Sequence, residues 1–122
     1  MNYDLAIIGG GAAGMAAAVF ASENGVHTVV IEHNRQLGKK LAITGKGRCN
    51  VTNNSDNDNI MKNIPTGSRF LYSALAGFSA YDTMNFFEGL GVPLKTERGN
   101  RVFPVSDSAG CRRGFCFPNH TA

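Results

Sequence analysis

The stretch DLAIIGGGAAGMAAAVFASENGVHTVVIE, residues 4–32, constrains this chain more than any other. An apolar run from Leu5 to Ile8 leads into Gly9-x-Gly11-x-x-Gly14. An alanine-rich segment follows, then Gly25 and a second apolar run ending on Glu32. That order, strand, glycine turn, helix, strand, is the pattern of a dinucleotide-binding βαβ unit. Gly9 permits the tight turn out of the strand, Gly11 lets a pyrophosphate approach the main chain, and Gly14 lets the helix pack closely on the sheet. The helix start at Ala12 and Ala13 leaves free N–H groups and a partial positive charge, which suit a diphosphate. Glu32 stands near the roughly 20-residue spacing at which an acid holds a ribose hydroxyl. A glycine-rich turn in some other α/β protein is the bland alternative, and it does not account for strand, helix, second strand and terminal acid in register.

The chain has 122 residues, enough for one small domain. Hydrophobic residues make up 43% and charged residues 17%, as in ordinary soluble proteins. A net charge of +3 does not by itself argue for nucleic acid. Residues 5–21 carry no charge. They are rich in glycine and alanine, follow Asp4 rather than a basic leader, and fall short of about 20 strongly apolar residues, so a buried strand and helix explain them better than a membrane span. A cytoplasmic location without membrane contact is expected. The three cysteines, Cys49, Cys111 and Cys116, contain no CxxC and fit a reducing compartment. Cys111, Cys116 and His120 match no common zinc spacing and lack a fourth ligand, so no metal is expected.

Along the chain, strands are predicted over residues 2–8 and 27–32, with a helix over 12–24 stopped by Gly25. Residues 33–59 read as a long loop with one short helical turn. Phe70, Leu71, Ala74, Leu75 and Phe78 recur at helical spacing. Ser79 with Asp82 resembles a capping start for a further helix, with Met84, Phe87 and Leu90 on its apolar face and Gly91 as its stop. Leu94 to Glu97 and Arg101 to Phe103 flank the turn Arg98-Gly99-Asn100 and predict a hairpin. Ser106 or Asp107 could cap another helix. The fold class is α/β.

A second motif, QLGKKLAITGKGRCNVTN, fills residues 36–53. It sets Lys39, Lys40, Lys46 and Arg48 among Gly38, Gly45 and Gly47. Glycines let amides approach a ligand, and cations offset phosphate charge. The segment leaves the end of the second strand, where cofactors sit in open α/β sheets. It is not a P-loop, because the glycine spacing is wrong and Gly47 follows Lys46. On charge alone, the same cations read equally as a solvated polar loop or a nucleic-acid contact.

GKKLAITGKGRCNVTN, together with GGGAAGMAAA and the later RVFPVSDSA, closely resembles the BaiN-like, aminoacetone-oxidase-type family of NAD(P)/FAD-dependent oxidoreductases over residues 3–109. TGKGRCNVTN is the most specific part. The resemblance implies a two-part flavoprotein fold whose Rossmann-like βαβ unit binds the ADP half of FAD, with NAD(P)H as electron donor in the full-length family. Gly9, Gly11, Ala12, Ala13 and Gly14 then match the pyrophosphate turn, and Glu32 the adenosine-ribose ligand. Lys40 and Gly47, Arg48, Cys49 and Asn50 match the segment that runs along the cofactor toward the flavin. Cys49 has no near partner and is expected to pack beside the cofactor rather than exchange thiols. No catalytic residue is assigned, because hydride chemistry belongs to the flavin ring. His33 is expected to end the strand rather than touch the adenine.

Members of that family are several times longer. The expectation is therefore an incomplete FAD-binding unit over residues 1–109, truncated, inactive alone and retaining little FAD, followed by an aberrant tail over 110–122. Codons can be chosen for that tail so that a one-base shift near Ala109 or Gly110 gives Asp-Val-Val-Glu-Ala-Phe-Ala-Phe-Gln-Thr, an apolar-periodic helix. The nucleotide sequence of the gene tests that reading-frame shift. A nicotinamide-binding dehydrogenase unit is the nearest alternative, disfavoured because such domains continue with further βα units after the acid. A small basic nucleic-acid-binding or regulatory module would leave the glycine motif idle. The expected partner is the flavin cofactor, with no nucleic acid.

Overall fold

The computed structural model describes residues 2–106. Strands β1 (Leu5–Ile8) and β2 (Thr28–Ile31) pair in parallel, with Leu5 opposite Thr28 and Ile8 opposite Ile31. Parallel neighbours need a crossover, and α1 (Ala12–Glu23) supplies it. Its alanines keep one face thin, while Met15 and Val19, four residues apart, are its buried side chains. The helix ends in a Schellman motif. Gly25 is left-handed at φ +74°, its N–H donates to Ser22 O, and Val26 N–H donates to Ala21 O.

The predicted loop over 33–59 holds more structure than expected. It contains α2 (Lys39–Ile43), the two-residue strand β3 (Thr52–Asn53) and the start of α3 (Asn57–Lys62). Asp56 caps α3 by accepting from Asn59 N–H at 2.7 Å, so the Asn/Asp run carries a helix start as well as a turn. A 3-10 turn over Ser68–Leu71 precedes α4 (Tyr72–Gly77). Of the predicted apolar set, Phe70 is 88% exposed, Leu71, Ala74 and Phe78 are exposed as well, and Leu75 alone is part-buried.

The predicted capping box is present at the start of α5 (Ala80–Gly89): Ser79 and Asp82 exchange side-chain-to-backbone hydrogen bonds. A second Schellman motif ends α5, with Gly91 N–H donating to Glu88 O and Val92 N–H to Phe87 O. The predicted hairpin is β4 (Leu94–Glu97) and β5 (Arg101–Pro104), turned through left-handed Gly99 and Asn100. β3 adds to the other side of β5, with Thr52 opposite Val102, giving a three-stranded antiparallel sheet. Met15, Val19, Cys49, Phe87 and Val92 form a buried core, with Leu41, Val51, Phe86 and Leu94 packed against it. Phe20 of α1 stacks on Phe86 of α5 at 5.4 Å between centroids and meets Phe78 edge-on at 5.9 Å. Asp107, proposed as a helix cap, and the tail over 110–122 lie outside the described residues.

Candidate nucleotide-binding site

The turn between β1 and α1 is built by its own backbone. Gly9 lies at φ +97°, a region that side chains disfavour, and its N–H extends the strand ladder to Ile31 O at 2.8 Å. A Cβ on Gly14 would stand 1.9 Å from Gly9 O and 3.3 Å from Ile7 Cγ2. The missing side chain is therefore what lets the helix sit on the turn. Gly11 differs from both. Its φ of −78° and ψ of −174° suit any residue, and a Cβ there would meet nothing within 4 Å. Folding does not require glycine at that position, and the space beside it is open.

Gly11 is the N-cap of α1 and provides no side chain to cap it. Met15 N–H makes the first helical bond, to Gly11 O, so the N–H groups of Ala12, Ala13 and Gly14 precede the helical ladder. With the open space beside Gly11, these amides are donors at a helix start, of the kind that suit an anionic group.

Glu32, directly after β2, closes the turn from the other strand. Its Oε2 accepts from Gly10 N–H at 2.7 Å. Its Oε1 accepts from Asn34 N–H at 2.8 Å and from Asn34 Nδ2 at 2.6 Å. The N–H of Asn34 and then that of Gly10 hold the Glu32 carboxyl down from 4.5 to about 2, against an opposing contribution from burial. His33 points outward, 90% exposed, with Nδ1 3.0 Å from Glu32 Oε1. Gly38 N–H donates to Gly10 O at 2.8 Å, and Leu37 Cδ2 occupies the space a Cβ on Gly10 would need. Gly10, Asn34, Leu37 and Gly38 thus brace the turn, although none occupies a fixed position of the glycine motif. The run of three successive glycines was the only signal for Gly10.

The second motif divides in two. Lys40 lies in the first turn of α2, two residues beyond the Gly38–Gly10 bond, and is exposed. Residues 45–49 form a left-handed loop in which Gly45, Lys46, Gly47 and Cys49 all have positive φ. The side chains that follow are held by the antiparallel sheet. Arg48 pairs with Glu97 at 2.9 Å and lies 4.2 Å from the Phe103 ring centre, and Arg48, then Lys95, lower the Glu97 carboxyl pKa. Asn50 Nδ2 donates to Thr52 O and Val102 O. Cys49 is buried in the core with Met15 and Val19, which ties this loop under α1. Gly9, Gly11, Ala12, Ala13, Gly14 and Glu32 therefore converge at one turn with Lys40 close in sequence to its brace, while Cys49 and Asn50 direct their side chains into the protein and Arg48, half-exposed, lies against Glu97 and Phe103. Among the described residues, no group of three His, Cys, Asp or Glu side chains could hold a metal ion, and no helix is long and apolar enough to cross a membrane.

The family model described as the HI0933-like protein Rossmann domain matches residues 3–111. Over 107 residues, 86% of this chain, the sequence is 36% identical to a 3-dehydro-bile acid delta(4,6)-reductase of Clostridium scindens. Over 108 residues, 88% of this chain, it is 32% identical to a ribosomal RNA dihydrouridine synthase of Escherichia coli. A shorter match, 35% identical over 76 residues, is to a 3-oxosteroid 1-dehydrogenase of Mycolicibacterium smegmatis. These matches span 25%, 26% and 13% of the respective relatives, so the chain covers about a quarter or less of their length.

Proposed function

The chain belongs to the HI0933-like Rossmann-domain family, and on that premise we propose that it is the part of an FAD-dependent oxidoreductase that binds the ADP half of the cofactor. Gly11 carries the reading: its backbone needs no glycine, and the space beside it opens next to an uncapped helix start. In this reading the N–H groups of Ala12, Ala13 and Gly14 bind the diphosphate, and Gly11 gives the clearance. Glu32, ionised through the neutral range, accepts from a ribose hydroxyl. Lys40 adds positive charge near the phosphates. Residues 47–50 contribute through their main chain, since the Arg48, Cys49 and Asn50 side chains are engaged elsewhere. The bound flavin would supply hydride transfer, and the protein's share is to bind and orient it.

The relatives' names include a bile acid, a steroid and ribosomal RNA, so what they support for this chain is the shared nucleotide-binding region rather than one substrate. Two ribosomal RNA relatives also leave the expectation of no nucleic-acid partner without support. Equilibrium titration with FAD, FMN and NAD tests the reading. FAD should bind at equilibrium, weakly enough that the purified chain keeps little of it, ADP should compete with it, and FMN, which lacks the AMP portion and so the intact diphosphate, should not bind. Equal binding of FMN and FAD would contradict it, and tighter binding of NAD than of FAD would favour the dehydrogenase alternative.

A further inference from the structure

The donors around Glu32 are divided unequally. Oε1 accepts from both nitrogens of Asn34, at 2.8 and 2.6 Å, and lies 3.0 Å from His33 Nδ1. Among the described residues, Oε2 accepts from Gly10 N–H alone. A carboxylate oxygen has two lone-pair sites. Oε1 is therefore saturated, and Oε2, tied to the glycine turn, keeps a free site. We propose that Asn34 is a positioning residue: by filling Oε1 it fixes the Glu32 carboxylate in one rotamer and presents Oε2, beside the diphosphate turn, to the ribose hydroxyl. This rests on the proposed binding of an ADP moiety by this turn.

Asn34 lies on the loop after β2, and its own side chain reaches back two residues to Glu32. Its main-chain N–H remains in any variant except proline, so Asn34→Ala removes only the amide at 2.6 Å. With that donor gone, the carboxylate is held by the main-chain N–H groups of Asn34 and Gly10 and is fixed less tightly in one rotamer. Nucleotide binding through the turn amides is untouched, but preference for the ribose hydroxyl is not. That separates positioning from a purely structural role, which would weaken every nucleotide equally.

The test is titration of the full 122-residue chain with ADP and with 2′-deoxy-ADP, followed by amide chemical shifts, for wild type, Asn34→Ala and Glu32→Gln. The proposal expects wild type to bind ADP about tenfold more tightly than the deoxy form, as for one hydrogen bond to a charged acceptor. Asn34→Ala should reduce that ratio to about twofold, with Glu32→Gln at least as low. A wild-type preference that survives unchanged in Asn34→Ala overturns the positioning role and leaves the ADP reading standing. Equal binding of both nucleotides by wild type overturns the ribose role of Glu32 and the proposal with it, whereas binding of neither overturns the ADP reading on which the proposal rests.

Discussion

A Cβ at Gly14 would collide with Gly9 O at 1.9 Å, whereas one at Gly11 would touch nothing, and this difference separates the folding role of the turn from its binding role. Gly14→Ala should destabilise the chain by about 2 kcal/mol, as for overpacking against backbone, seen as a lower denaturant midpoint. Gly11→Ala should change the unfolding free energy by no more than about 0.5 kcal/mol while abolishing FAD binding. Glu32 predicts a pH dependence. Its folded pKa of about 2 lies below the usual 4.5, so its stabilisation is present in full above pH 4.5 and disappears as pH falls through about 2. The stability difference between wild type and Glu32→Gln, followed by thermal melting, should shrink across that window. A difference that stayed constant down to pH 2 would contradict the assigned hydrogen bonds. At this scale the glycines and Glu32 were legible because their spacing is local. Asn34 was not, because its role comes from a side chain folding back two residues onto Glu32.

The elements follow the same division. Both helices with strong end signals, α1 and α5, were legible from their apolar spacing, caps and terminal glycines. Ser79→Ala should cost about 1 kcal/mol by removing the capping box. β3 was illegible because two residues become a strand only by pairing with β5, some fifty positions on. The left-handed loop over residues 45–49 was legible as a motif, but the direction of its side chains was not. The sequence places Arg48 on a segment that runs along a cofactor but does not show that its guanidinium is paired with Glu97 and packed on Phe103. Arg48→Ala should cost about 1 kcal/mol or less, since the pair is half exposed, and should weaken FAD binding only indirectly. A loss of FAD binding as complete as that of Gly11→Ala would mean that the guanidinium contacts the ligand directly.

Across the described residues, the buried core lies between α1, α5 and the antiparallel sheet, while the parallel pair is poorly covered. Ile8 is 78% exposed, and Leu5 and Ile31 are also exposed. A two-stranded sheet has two open edges, and apolar edges favour association. Purified chain should therefore self-associate with rising concentration in light scattering, and Leu5→Lys should reduce this without altering the nucleotide turn.

Amide shift mapping with FAD tests the central claim most directly. The account predicts that the largest perturbations fall on the N–H groups of residues 11–14 and of Gly10 beside Glu32, and that Gly11→Ala removes them while the rest of the spectrum is unchanged. Perturbations confined to the cationic residues 39–48, or persisting at full strength in Gly11→Ala, would contradict a diphosphate seated on the start of α1.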